Sequence, residues 1–174
     1  GPFFTQNFDE TLAIFQSARD RGALITVNHP FEESCPFKYD LASLPFDALE
    51  VWNGPMRESN LRSLELWKHL LDAGLKVPLC SGSDYHRDRL FQILGGPTTC
   101  VYAQSSSTKD ILSAVREGHS FVTFAPEGPT LQLSCGEAIM GDSIPFEAGQ
   151  ILRIDLDGLE KGDLWLWDEI MESR

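Results

Sequence analysis

The sequence predicts an α/β fold in which a parallel sheet or barrel is followed by a small antiparallel β-rich segment. Three observations carry this reading. Residues 23–28, 48–52 and 77–80 are short, almost wholly apolar runs of strand length, as expected of strands buried on both faces in a parallel sheet. Segments with apolar residues at helical spacing alternate with such runs, and that alternation builds right-handed parallel crossovers. From Ser120 onward, short strand-like runs are separated by Gly, Pro and Asp turns, the pattern of antiparallel structure.

Taken in order, Asp9 precedes Leu12, Phe15 and Ala18, and Gly22 follows. This spacing predicts an amphipathic helix with Asp9 as N-cap and a glycine stop. The strand Ala23 to Asn28 ends at Asn28-His29-Pro30, where proline denies the next ladder hydrogen bond and is expected to hold His29 extended. A polar loop leads to Ala48-Leu49-Glu50-Val51-Trp52, in which Glu50 is the single charge. Leu61, Leu64, Trp67, Leu70 and Leu71 then recur at helical spacing and Gly74 marks the stop. A strand from Val77 to Cys80 runs into Ser81-Gly82-Ser83-Asp84-Tyr85-His86. Thr98 to Ala103 reads as a strand, followed by a helix that Ser107 and Asp110 open as a capping box and Gly118 closes. The later strand-like runs are 121–124, 131–134, 151–156 and 164–167. A boundary near residue 126 separates the barrel-like part, 1–126, from a β-rich extension, 127–174.

A chain of 174 residues, 42% of them hydrophobic, is long enough for one sizeable core. The formal net charge of -12 argues against nucleic acid and anionic membrane surfaces, which reward clustered Lys and Arg. Cys35, Cys80, Cys100 and Cys135 form no C-x-x-C pair and are expected to be reduced and mostly buried. No apolar run approaches the roughly 20 residues of a membrane helix, nor does the start read as a signal peptide. A cytoplasmic location is therefore expected. Gly1-Pro2 has the look of a scar left by tag removal.

Residues two apart in a strand point to one side, so Asp84 and His86 are expected to present a carboxylate oxygen and an imidazole nitrogen to one metal ion. The small residues Ser81, Gly82 and Ser83 leave room above the strand end. Glu50 would be costly to bury unpaired, which suggests a nearby cation, a strong hydrogen-bond donor, or a salt bridge from a helix. His29, Glu50 and the Asp84/His86 pair each lie at or near the C-terminal end of a successive strand. That rim is where α/β barrels assemble their sites.

The runs Gly22 to Phe31 (Gly-Ala-Leu-Ile-Thr-Val-Asn-His-Pro-Phe), Leu49 to Gly54 (Leu-Glu-Val-Trp-Asn-Gly) and Gly82 to His86 (Gly-Ser-Asp-Tyr-His) resemble the later motifs of PHP (polymerase and histidinol phosphatase) hydrolases. The likeness is to the branch with carbamate-ester hydrolases and predicted phosphoesterases. It extends through Gly96-Pro97-x-Thr99 and Gly118 to Thr123, over residues 8–135. The resemblance implies a distorted seven-stranded (β/α) barrel holding two or three divalent ions (Zn, Mn or Fe), with His29, Asp84 and His86 as ligands and Glu50 as a further site residue. Members of that family begin with a His-x-His pair on the first strand, and nothing of that kind precedes His29. The chain is therefore expected to be the C-terminal part of the barrel, its site completed by the N-terminal half or by a second chain.

The function expected on this basis is hydrolysis of a small-molecule phosphate ester or a carboxylic or carbamic ester by metal-activated water. His119, Arg87 or Arg89 would then contact the leaving group or an anionic substrate, whereas His69 reads as a surface residue of the Leu-rich helix. A second reading is a degenerate, non-catalytic domain of the same shape whose β-rich tail binds a partner. A Ser or Cys nucleophile hydrolase lacks support, since Ser81 and Ser83 sit in no G-x-S-x-G elbow.

Overall fold

A computed structural model of the chain describes residues 5–88, 92–162, 164–166 and 169–171. The fold is mixed α/β, with three α-helices and several small sheets among the described residues. Helix α1 is Phe8–Asp20, capped by Asn7, whose side chain accepts the Glu10 N–H at 2.9 Å. Glu10 reciprocates by accepting from Asn7 Nδ2 and from the Gln6 N–H. The cap is thus Asn7, and the expected cap Asp9 lies inside the first turn. An Asn with a Glu three residues on satisfies orphan donors from both sides, which Asp9 does not match.

Strands β1 (Thr26–Val27), β2 (Ala48–Asn53) and β3 (Leu79–Gly82) form a parallel sheet in the order β1-β2-β3, as the alternation predicts. β1 is shorter than expected and only half buried: Val27 is in the core, while Thr26 and Asn28 are exposed and bond to each other. β2 is the central strand, with Ala48, Leu49, Glu50 and Val51 all buried. Its pairing with β3 shifts register between Glu50 and Trp52, a bulge that re-aims the residues beyond it. The core gathers Val27, Leu41, Leu44, Leu49, Val51, Leu70 and Val77. Helix α2 (Glu58–Asp72) packs against β2, supplying Leu70.

Strand β4 (Thr98–Val101), helix α3 (Thr108–Glu117) and strand β5 (Ser120–Thr123) follow. Ser107 accepts the Asp110 N–H and Gly118 closes α3 at φ 79° in the left-handed region, both as expected. The two strands pair antiparallel, as the turn-separated runs from Ser120 onward predict. The Tyr102 N–H, just past β4, donates to the His119 carbonyl just before β5. Helix α3 therefore leaves and re-enters at the same end of β4, and the chain reverses. Beyond residue 126 the described strands are all antiparallel. β6 (Thr130–Cys135) lies between β7 (Ala138–Ile139) and β8 (Arg153–Asp157), and β9 (Leu164–Leu166) pairs with β10 (Glu169–Met171). Trp167, the last residue of the expected final strand, lies outside the described residues.

The cysteines are free, with Cys35 exposed and the other three half-buried, so they are reduced as expected but less buried than expected. No described helix is long and apolar enough to cross a membrane.

The β-rich tail meets the end of α3 through two glycines. A Cβ on Gly141, at φ 90°, would lie 2.4 Å from the Gly118 carbonyl carbon and 2.5 Å from the Glu117 oxygen. Both contacts are to backbone, so nothing can rotate away. Gly136 also has a positive φ, 61°, but faces open space. We expect Gly141→Ala to destabilise the fold by at least about 2 kcal/mol, from overlap added to backbone strain, and Gly136→Ala to cost only about 1 kcal/mol. Equilibrium urea denaturation of the two variants checks the difference.

Candidate metal centre

β1, β2 and β3 run in the same direction, so their C-terminal ends share one rim, and the chain places His29, Glu50 and Asp84 there. Glu50 is 5% exposed. Its carboxylate has no Arg or Lys partner among its described contacts. Instead Oε2 accepts the backbone N–H of His29 at 2.8 Å and Nδ2 of Asn53 at 3.2 Å. The other oxygen, Oε1, faces Gly82, where a Cβ would come within 3.2 Å, so the glycine leaves the space that the carboxylate fills. Burial pushes the Glu50 acid above its ordinary range, and the neighbouring Asp84 charge pushes the same way; the bonds from His29 and Asn53 and the nearby His29 ring oppose it. Of the three explanations the sequence allowed for Glu50, the described contacts are hydrogen-bond donors.

The bulge explains how Asn53 takes part. In a regular strand residues three apart point to opposite faces, yet Asn53 bonds Glu50 across that spacing. The irregularity between Glu50 and Trp52 supplies the rotation. Asn53 is fixed in turn by the buried Asn60 on the first turn of α2, which accepts the Asn53 N–H and donates to the Asn53 and Pro55 carbonyls. Neither asparagine was singled out from the sequence. The only sign was a polar residue at position 60 beside the apolar stripe of α2.

His29 has φ 32° and Asp84 φ 46°, both left-handed for non-glycine residues. This corrects two sequence expectations. Pro30 does not hold His29 extended, because the His29 N–H turns inward to the buried Glu50 carboxylate, and satisfying that group offsets the strain. Asp84 and His86 do not share a strand face, because β3 ends at Gly82. They meet through a turn, with His86 Nε2 2.8 Å from Asp84 Oδ1. Exposure rises outward from Glu50, reaching 43% for the Asp84 side chain and 79% for His86, so the rim opens to solvent. Past His29 the loop is pinned to α2 by the Arg57–Glu32 ion pair at 3.3 Å and by the Arg62 guanidinium 4.3 Å over the Phe31 ring. Cys35 Sγ lies 3.7 Å from His29 Nδ1.

Of the remaining candidates, His119 and His69 fall elsewhere. His119 is held by Asp142 at 2.9 Å and Glu117 at 3.4 Å, and its neighbour Gly118 abuts Pro78, the residue before β3. It therefore sits at the opposite end of β3 from Asp84 and is not brought together with the other site residues. The Ile139 N–H and the His119 ring hold the Asp142 acid below the usual carboxylate range. Arg87 is exposed beside His86, Arg89 lies outside the described residues, and His69 is exposed on α2. Cys80, paired in register with Glu50, has its thiol pushed up to about 12 by burial and by the Glu50 charge, so it stays protonated and is no nucleophile near neutrality. Among the described residues no three His, Cys, Asp or Glu side chains form a group that could hold a metal ion. A separate apolar cavity of about 630 Å³, lined by Val51, Leu64, Trp67, Leu133 and Met140 among others, includes none of the rim residues. No family model, curated protein or solved structure matches the chain.

Because burial shifts the pKa of Glu50 upward in the folded state, ionising it costs the folded state. That cost is absent below the ordinary value of 4.5 and grows as pH rises through the shifted value. We expect Glu50→Gln, melted in chelator across an acid-to-alkaline series, to gain stability relative to wild type as pH rises and to lose that advantage in acid. A pH-independent difference would mean that Glu50 is not the group being neutralised.

Proposed function

We propose that this chain contributes His29, Asp84 and His86, with Glu50 behind them, to a divalent-metal centre of a PHP-type hydrolase acting on phosphate or carboxyl and carbamate esters. The observation that carries the proposal is the buried Glu50 carboxylate, which has no Arg or Lys partner among its described contacts and is flanked by two strained residues of metal-ligating type on the neighbouring parallel strand ends. Such strain persists only where the surroundings over-determine it, and it clusters at functional sites. The donor set, carboxylate oxygen and imidazole nitrogen, suits Zn or Mn.

A divalent ion bound there would supply Lewis acidity and lower the pKa of water toward ~7. The chain's own residues do the positioning. Glu50 fixes the His29 backbone, Asn53 and Asn60 fix Glu50, and Asp84 fixes the His86 ring. In this reading the described residues are part of the donor set, and further ligands come from elements outside it, such as the other half of a barrel. The carboxylates also make the rim negative, so an anionic ester would need the bound cations, with Arg87 at the margin to assist.

The test is a comparison of wild type with Asp84→Asn and His86→Ala. Metal content after loading with Zn or Mn should fall in both variants, and chelator-sensitive hydrolysis of a phosphomonoester or carboxyl ester should fall by orders of magnitude wherever wild type shows it. Melting temperature in chelator should stay within a few degrees, since neither side chain is in the core. Unchanged metal content with a stability loss on the order of 1–3 kcal/mol would instead mark both residues as loop hydrogen-bond partners.

A further inference from the structure

The rim contains a second, unassigned device that rests on the metal-centre reading. Gln92 Nε2 donates to the Ser83 carbonyl at 2.9 Å and to the Asp84 carbonyl at 3.0 Å. One amide nitrogen carries two hydrogens, and these two bonds use both. In extended backbone, consecutive carbonyls point to opposite sides, so a single donor cannot reach both. They turn the same way only when the intervening residue adopts helix-like angles of either hand. Asp84 at φ 46° is in the left-handed version, which non-glycine residues rarely adopt.

We infer that Gln92 is a positioning residue, whose amide holds Asp84 in its left-handed conformation and thereby presents the Asp84 carboxylate to the His86 ring and the Glu50 side of the rim. Gln92 is itself anchored. The turn after it closes through the Gly96 N–H to the Ile93 carbonyl at 3.1 Å. A Cβ on Gly96 would lie 2.6 Å from the Phe124 carbonyl oxygen, and one on Gly95 would lie 3.1 Å from Pro126 Cγ. The loop carrying Gln92 thus rests against the exit of β5, and only glycine at position 96 permits the approach. Remove the amide and the Ser83 and Asp84 carbonyls lose their common donor. Asp84 then relaxes toward extended backbone, swinging its carboxylate away from His86.

The experiment uses Gln92→Met, which keeps the length without donors, and Gln92→Glu, which sets a carboxylate against two carbonyls. The φ of Asp84 is read from its amide-to-α proton scalar coupling, cobalt(II) affinity from the visible absorption of the titrated protein, and global stability from thermal melts. Both variants should shift the Asp84 coupling toward the extended value and weaken cobalt at least about tenfold, the scale seen when groups that orient ligands are lost, with melting temperature within a few degrees. An unchanged Asp84 coupling overturns the inference, as does an unchanged cobalt affinity or one that falls only in step with global unfolding. If wild type itself takes up no cobalt, the metal-centre reading fails. The Asp84 coupling then decides alone: a shift in Gln92→Met upholds the hold on Asp84, and no shift overturns it.

Discussion

The rim is organised by a single buried carboxylate. Placing Glu50 at 5% exposure in the central strand imposes a desolvation cost that an apolar residue would avoid, and no strand needs an acid for packing. Once it is there, its surroundings are constrained. A backbone N–H must turn toward it, which sets His29 at φ 32° and gives the chain its exit from β1. A neutral amide must reach it, which recruits Asn53 through a bulge. A side chain at position 82 would crowd its second oxygen, which favours glycine at the end of β3. Three strand ends thus take their local geometry from one side chain.

The neutrality of these supports matters as much as their number. An Arg or Lys beside Glu50 would have satisfied the carboxylate and fixed its charge permanently, as in an ordinary buried ion pair. One side-chain amide and one peptide N–H stabilise the anion only in part, and burial keeps the acid shifted upward. The Asp84 charge pushes the Glu50 acid the same way. A cation entering from the solvent side would meet His86 and Asp84 first, at the exposed margin, and the anchored Glu50 last.

Much of the scaffold was legible because the relevant signals are local. The Ser107 cap, the Gly118 stop and the amphipathic stripe of α2 each follow from residue types within one or two turns of helix. The parallel order of the first three strands follows from alternation. The antiparallel sense of β5 was legible in the turn-rich sequence from Ser120 onward, but its partner β4 was not, because that depends on where α3 returns, fixed by the Tyr102–His119 backbone bond. At the site, the identities His29, Glu50, Asp84 and His86 were readable as residue types near strand ends, while their conformations were not. A bulge is a register event between two strands, and a left-handed φ at His29 or Asp84 is the outcome of competition with distant donors and acceptors. The preference of a residue before proline for extended backbone is worth less than a bond to a buried carboxylate, so the local rule lost to the tertiary one.

The two ends of the sheet have divided their tasks. At the N-terminal end, Pro78, Gly118 and Gly141 approach so closely that side chains are excluded, and His119 is enclosed between Glu117 and Asp142. That end joins the β-rich tail to the helix and has little freedom to move. At the C-terminal end, strain is held at two residues, exposure rises from Glu50 to His86, and the strained backbone is held by a few hydrogen bonds, from the His29 N–H to Glu50 and from Gln92 to the Ser83 and Asp84 carbonyls. Strained residues restrained by few bonds tolerate little perturbation locally, yet their loss leaves the core untouched, because Leu49, Val27 and Val77 pack beneath them regardless. Changes at the rim should therefore separate from changes in global stability, which is the physical condition under which a site can be specialised without unfolding the domain that carries it.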